Sequence, residues 1–530
     1  METKSFKLIA LAIFFNLAPF ISSAQGTCKE VIGYYPGWQW YDRNKLVRPE
    51  TIDYDQYSII NYAFLYPLPD GQIQITDPWG DKNLLLGSIN WGVAPAGYDS
   101  AYDLGNPDYH NPGTSIVHHA HMNNTDILIS IGGWTLSSDF PAIAADPVKR
   151  ANFAHWCNEV IRMYDVDGID IDWEYPGYEP HNGGPADMVN YTLLLKEVRD
   201  SLDVIDQDLM LTAAFGAASD RMDDIEWNEM VATLDFINLM SYDFFGAFSP
   251  STNHNSPLYT PAEGDPTFNC NSAIERLIND HNVPSDMINL GVAFYGRTAK
   301  TTGTPGLHVP TTGATDDGTF SADEGSPQYY NIVSNMSLFT EHWDSLAEVP
   351  YLTGNGSLNT FVSYDNEKSI GLKGQYVVDN DLAGVIIWEI TGDYMESSPG
   401  SGVISGTPLA DTLNLSLCNP ATSGSGSSGG SGGSGGGSGG SGGSGGVGIE
   451  GGYNLSQLFL YPNPSNDMVF LNVPENANLD RVVIFNFLGE QVMNSTNIMG
   501  KIDVSQLPAG VYVVRVSVEQ QLKDFKFVKN

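Results

Sequence analysis

Asp167-Gly168-Ile169-Asp170-Ile171-Asp172-Trp173-Glu174-Tyr175-Pro176 is the stretch on which the fold turns. Side chains of a β-strand alternate between its two faces, so Asp170, Asp172 and Glu174 share one side. Ile169, Ile171 and Trp173 take the other and are apolar. Carboxylates in a row on a buried strand are costly, because desolvating charge is unfavourable and like charges repel. Chemistry is the usual reason to keep them. A solvated sheet edge or a metal site are the other ways to host such a row. Asp167, at the near end, reads as a residue that caps or positions the strand.

Outward from this strand, short apolar runs recur: Val31–Tyr35, Tyr57–Leu65, Ile127–Gly132, Leu209–Phe215, Phe236–Ser241, Ile288–Phe294 and Gly384–Trp388. Amphipathic stretches such as Ala151–Tyr164 and Met188–Leu202 lie between several of them. With Gly168–Trp173, these make eight strands alternating with helices, which predicts a (β/α)8 TIM barrel. In that architecture the active site lies at the carboxyl ends of the strands. There the sequence places Gly132-Gly133-Trp134, Glu174-Tyr175-Pro176, Tyr242-Asp243 and Trp388-Glu389.

Two stretches break the alternation. Pro67 to Thr125 reads as a long Gly/Pro/Asn/aromatic loop, with His118, His119 and His121 read as solvated. Arg297 to Asp381 carries strand-like pieces, Phe361–Tyr364 and Gln375–Val377 among them, and is expected as an α+β insertion before the last strand.

From Ser423 to Gly446 the chain is only Gly and Ser. Such a segment is a flexible linker, with a span of roughly 25–30 Å. Beyond it come short alternating runs: Leu458–Tyr461, Val469–Val473, Val482–Phe485 and Val511–Val516. Turn signals such as Pro462-Asn463-Pro464 and Pro508-Ala509-Gly510 separate them, which predicts a small all-β sandwich. It holds no carboxylate pair or Ser/His arrangement.

Composition bounds the partners. The 530 residues carry 24 Lys+Arg against 63 Asp+Glu, a net charge of −39. That balance excludes nucleic acid and anionic membranes as natural partners. Lys4 and Lys7, the apolar run Leu8–Phe20 and the small residues Ser22-Ser23-Ala24 form a secretory signal. The run is too short to span a bilayer, and no other stretch approaches its length. A secreted, soluble protein follows. Of the cysteines Cys28, Cys157, Cys270 and Cys418, Cys28 and Cys418 flank the core, where a barrel brings its ends together, and are the only candidate pair; free, buried cysteines are the alternative.

Together these residues resemble glycoside hydrolase family 18, the chitinase family. Asp167-x-x-Asp170-x-Asp172-x-Glu174 fits its acidic signature and Ser130-Ile131-Gly132-Gly133 its second motif. Gly33-Tyr34-Tyr35, Met240-Ser241-Tyr242-Asp243, Tyr295-Gly296-Arg297 and Trp388 agree in order. The resemblance implies a secreted, endo-acting chitinase that retains configuration by a substrate-assisted route, one of the exceptions to the two-carboxylate scheme. Glu174 would be the general acid. Asp172 would orient the sugar's 2-acetamido group, and Asp170 would share a proton with Asp172. Tyr34 and Ser130 would hydrogen-bond Asp170, Tyr242 would hold the acetamido carbonyl, and Trp388 would be the floor under the reacting sugar. Asp243, Tyr295 and Arg297 would add sugar contacts, with Phe64, Gly133, Trp134 and Met240 completing the wall. Trp38 and Trp40 are either core aromatics or stacking surfaces.

No metal or cofactor is implied, and a monomer acting on chitin or chito-oligosaccharides is expected. A catalytically silent chitin-binding lectin and an endo-β-N-acetylglucosaminidase acting on N-glycan cores are the alternatives on the same scaffold. The tail resembles the C-terminal sorting domains of type IX secretion substrates, through Tyr461-Pro462-Asn463-Pro464, Gly510-Val511-Tyr512 and the basic Lys523, Lys526 and Lys529; a carbohydrate-binding or spacer sandwich is the other reading. The expected plan is a signal peptide over 1–24, a catalytic barrel over 25–420 with residues 298–381 inserted, a linker over 421–453 and the sorting domain over 454–530.

Overall fold

The computed structural model describes residues 28–223 and 225–418, then 459–461, 468–472, 479–486, 491–495, 501–508, 510–518 and 521–529. The expected signal peptide and Gly/Ser linker lie outside them. The described residues fall into two units.

In the first unit the apolar runs are strands: Glu30–Pro36 (β1), Ile59–Pro67 (β2), Asp126–Gly132 (β3), Gly168–Asp172 (β4), Met210–Gly216 (β5), Phe236–Met240 (β6), Ile288–Ala293 (β7) and Gly384–Trp388 (β8). Each pairs in parallel with its neighbours, and β8 pairs with β1 to close the ring. This is the (β/α)8 barrel that the alternation predicts.

Strand alternation then sorts side chains. On the outer face of β4, Trp173 packs on Phe140 at 5.3 Å and on Tyr191 at 5.2 Å. Inward positions stack in layers. Ile32, Ile59 and Leu128 are buried apolar residues of the interior, with Met210 and Phe236 packed against them. Above them comes a buried polar layer of Asn61, Ser130, Asp170, Thr212, Asn238 and Asn289. Within it Ser130, Thr212 and Asn238 donate to Asp170, and Asn289 donates to Asn238.

Helices Ile116–Met122 (α1), Pro147–Tyr164 (α2) and Asp187–Ile205 (α3) follow β2, β3 and β4. The α1 helix corrects the reading of 67–125 as loop. Ser115 caps it by accepting the His118 N–H at 3.0 Å, and Ile116, Val117 and Ala120 bury one face. The three histidines are therefore helical. His121 pairs with Asp167 at 2.9 Å, and Asp167 also accepts the Ile127 N–H at 2.8 Å, which fixes β3 beside β4.

The insertion after β7 is a four-stranded antiparallel sheet in the order Arg297–Lys300, Thr360–Ser363, Val349–Gly354, Phe339–Asp344. Gln375–Val377 is not a strand. Asn366 and Ser369 form a capping box that opens a helix, Glu367–Asp379 (α4). Its Ile370, Lys373, Gly374, Tyr376 and Val377 are buried at helical spacing, and Tyr-Val-Val yields to the cap. Helix α4 packs on the closing helix Pro408–Leu417 (α5) and on β7 and β8. It belongs to the barrel, so the inserted sheet ends before it.

Cys28 and Cys418 form a disulfide with Cα atoms 4.4 Å apart; Cys157 and Cys270 are buried and free. Among the described residues no helix is long and apolar enough to cross a membrane. The second unit holds two antiparallel sheets, of three and four strands. Val469, Leu471 and Ile502 from one and Val482, Ile484, Val514, Val516 and Phe527 from the other share one core, as a sandwich requires.

Candidate active site

Asp170 sits in the polar layer with both oxygens occupied. Oδ2 accepts the hydroxyls of Tyr34 at 2.9 Å and Ser130 at 2.7 Å. Oδ1 accepts from Thr212 at 2.6 Å and Asn238 Nδ2 at 3.2 Å. Four donors bring four strands onto one carboxylate. Burial raises its pKa while these bonds oppose the rise. No hydrogen bond links Asp170 to Asp172 among the described residues. Four hydroxyl and amide donors occupy both oxygens of the inner carboxylate.

Asp172 lies one side-chain period further up. It is 3% exposed, and its Oδ1 is buried without a hydrogen-bond partner among the described residues. Burial, then the charges of Glu174 and Asp170, hold its pKa well above the carboxylate range. A buried acceptor left unmatched by protein is expensive and points to a donor supplied from outside.

Glu174 stands just past the end of β4. Its pKa is pushed up to about 7, first by burial and then by Asp243, against bonds from the Tyr175 hydroxyl and the Trp134 backbone N–H. The Glu174 N–H donates to Ser137 Oγ at 2.9 Å, and Ser137 Oγ donates to the Gly133 carbonyl at 2.9 Å. His181 Nδ1 lies 2.6 Å from the Glu174 carbonyl. A carboxyl half-protonated near neutral pH is suited to give a proton and take it back.

Aromatic side chains flank this centre on two sides. Trp388, at the end of β8, stacks on Phe64 at 5.7 Å and 17°, and meets Tyr34 at 5.7 Å and Trp38 at 6.4 Å. Phe64 is 7% exposed and backs Trp388. Gly133 explains the Gly-Gly turn: its φ is +87°, and a Cβ would meet the Phe64 ring at 2.6 Å. Trp134, half exposed, sits against His181, Tyr178 and Tyr175 at 4.7, 5.6 and 6.4 Å. Tyr242 lies within the electrostatic reach of Asp172 and Glu174. Met240, from the strand before it, packs against the barrel interior.

Asp243 is already engaged. Tyr295 donates to its Oδ1 at 2.5 Å, and Arg297 grips both oxygens. Tyr34 and Ser130 are buried, and each donates its hydroxyl to Asp170. Sequence reasoning missed Thr212, Asn238, Ser137, Tyr175 and His181. Thr212 and Asn238 carry a usable signal, since each is a polar side chain at an inward position of an otherwise apolar strand. It also passed over the exposed pair Trp79 and Trp91, stacked at 6.3 Å and 12°, and Phe248, 69% exposed.

Residues 30–393 match the family "Glycosyl hydrolases family 18". Residues 459–530 match "Secretion system C-terminal sorting domain", the mark of a secreted chain. Chitinase A1 of Niallia circulans is 33% identical over 428 residues, covering 72% of this chain and 58% of its own length. Chitinase ChiA of Flavobacterium johnsoniae is 28% identical over 467 residues, covering 73% of this chain and 28% of its own length. Among solved structures, the Group IV chitinase of Ostrinia furnacalis in complex with allosamidin superposes with a TM-score of 0.62 at 27% identity, covering 73% of this chain and 98% of that one. The ring of eight strands, the acidic row ending at Glu174 and the family match over 30–393 lead to one statement: this chain belongs to glycosyl hydrolase family 18.

Proposed function

We propose that the chain is a secreted, endo-acting chitinase that cleaves β-1,4 bonds between N-acetylglucosamine units with retention of configuration. The buried, unpartnered Oδ1 of Asp172 beside a Glu174 held near neutrality carries the reading. It is the acceptor that the N–H of a 2-acetamido group needs. The names of the relatives agree with this substrate.

The reacting sugar rests on Trp388. Glu174 gives its proton to the glycosidic oxygen as that C–O bond breaks. The acetamido carbonyl oxygen, held by the Tyr242 hydroxyl, attacks the anomeric carbon and closes an oxazolinium ring. Asp172 accepts the amide N–H and offsets the positive charge that develops. Glu174, now ionised, takes a proton from water as that water opens the ring from the face the leaving group left. Two displacements restore the original configuration. Asp170, fixed by its four donors, keeps Asp172 in place from below.

The second unit, over 454–530, serves as the export signal read by type IX secretion machinery. The barrel, over 25–420, works as a single subunit.

The test is product analysis on N-acetylglucosamine oligomers of graded length, with Glu174→Gln as control. Soluble products with β configuration at first release, and a loss of about 10²–10⁴-fold in the variant, are expected. Inverted products, or a variant with full turnover, would overturn the mechanism. Cleavage of a glycoprotein while oligomers and chitin stay intact would overturn the substrate.

A further inference from the structure

One imidazole, unused in the steps above, touches both the proton donor and the half-exposed indole beside it. His181 ends the short turn Glu179–His181. A carbonyl only accepts, so Nδ1 carries the proton in its 2.6 Å bond to the Glu174 oxygen. The same ring stands edge-on to Trp134, centroids 4.7 Å apart and planes at 63°. It also meets Tyr178 at 5.1 Å and 90°.

The loop that carries His181 is pinned from several directions. The N–H groups of Gly177 and Gly184 both donate to Asp187 Oδ2, at 3.0 and 2.7 Å. Asn182 Nδ2 donates to the Ser138 carbonyl at 3.0 Å. The Arg221 guanidinium covers Tyr178 at 4.9 Å and Tyr175 at 5.3 Å from behind. His181 is therefore a fixed support.

Trp134 needs such a support. It follows two glycines with positive φ and is 51% exposed. An unbraced side chain must be ordered each time a sugar binds, and that ordering weakens binding. The Trp134 backbone N–H also favours the ionised form of the Glu174 carboxylate, so the two residues act on each other directly as well as through His181. Trp388 takes the sugar that reacts. Trp134 belongs to a different aromatic group, packed on His181 and Tyr178 rather than on Phe64 and Tyr34.

We propose that His181 is a positioning residue for the leaving-group side, bracing the Trp134 indole for stacking and tying down the backbone of the proton donor. The inference rests on the function proposed above. Its two contacts are chemically separable: phenylalanine keeps an edge against the indole and loses the donor, whereas asparagine keeps an N–H donor and loses the ring.

The experiment uses the full chain with His181→Ala, His181→Phe and His181→Asn. Each is assayed on the N-acetylglucosamine hexasaccharide and on chitobiose joined to a nitrophenol. The nitrophenolate leaves without much help from an acid and places no sugar on Trp134. His181→Ala should lose about tenfold in kcat/KM on the hexasaccharide, the size of one edge contact plus one hydrogen bond, and distinctly less on the aryl glycoside. His181→Phe should recover KM for the hexasaccharide but not kcat, and His181→Asn the reverse. A purely structural histidine would make the alanine variant lose equally on both substrates, and that result would overturn the proposal. So would phenylalanine and asparagine variants that behave alike. Should the wild-type chain itself fail on the hexasaccharide, the proposed function fails; a working wild type with a flat variant series fails only the role of His181.

Discussion

Arg297 holds Asp243 in a two-pronged grip, Nε to Oδ1 at 2.7 Å and Nη2 to Oδ2 at 2.6 Å. Both charges act on Glu174, the carboxylate raising its pKa and the guanidinium lowering it. Asp243→Asn removes the raising charge and leaves Arg297 unopposed. The Glu174 pKa should then fall from about 7. The acid must be protonated to work, so the alkaline limb of kcat/KM against pH should move to lower pH, by about 1 unit. A limb that stays in place would remove Asp243 from the account.

Gly133 leaves no space for a side chain. Its φ is +87°, and a Cβ there would stand 2.6 Å from the Phe64 ring. Gly133→Ala should therefore displace Phe64 and, through their stacking, Trp388. Expected are a stability loss of about 1–3 kcal/mol in urea titration and a fall in kcat/KM on oligomers. An active variant with an unchanged urea midpoint would show that the Phe64–Trp388 stack tolerates movement.

Trp79 and Trp91 stack on each other yet expose 36% and 52% of their surface. Neighbouring Asp77 accepts the Tyr41 hydroxyl at 2.5 Å, and Tyr41 lies 5.3 Å from Trp40 in the segment that also carries Trp38. A stacked, exposed indole pair suits a chain of pyranose rings on a solid surface. Trp79→Ala and Trp91→Ala should each slow release of sugar from insoluble chitin several-fold while affecting soluble oligomers far less. Equal losses on both substrates would contradict this.

Stability should depend on pH in a direction set by buried carboxyls. Glu389, 1% exposed, has its pKa pushed up to about 7 from 4.5 by burial. The folded state therefore binds this proton more tightly than the unfolded state. Its stabilising contribution is complete below pH 4.5 and lost as pH rises through about 7, a change of about 3 kcal/mol. Glu389→Gln removes the dependence, so its urea midpoint should gain on wild type between pH ~5 and ~8. Parallel curves would exclude Glu389 as the source.

Much of the barrel is written in local pattern. The alternation at Ile169–Glu174 and the apolar runs locate all eight strands within a residue or two, because strand period and burial are local properties. Glu174 and Asp172 stand out because acidic residues are rarely placed in such a run. What stays hidden depends on distant partners. Nothing near Thr212 or Asn238 says that both reach Asp170, and nothing near His181 says that it meets Trp134. At Gln375–Val377 a β-branched run misleads, since the decisive signal is a cap several residues upstream at Asn366. At Ile116–Met122 three histidines mask a short helix whose apolar face carries few residues.

The bridge between Cys28 and Cys418 spans 390 positions of sequence, so every residue of the barrel lies inside a single covalent hoop. Residues 1–27 and the sorting tail both lie outside it in sequence. A peptidase that trims either appendage leaves the hoop closed, and the enzyme can shed its address label without its ends unravelling. A stray cut within an exposed loop of the hoop still leaves both fragments tethered, a safeguard suited to a protein at work outside the cell.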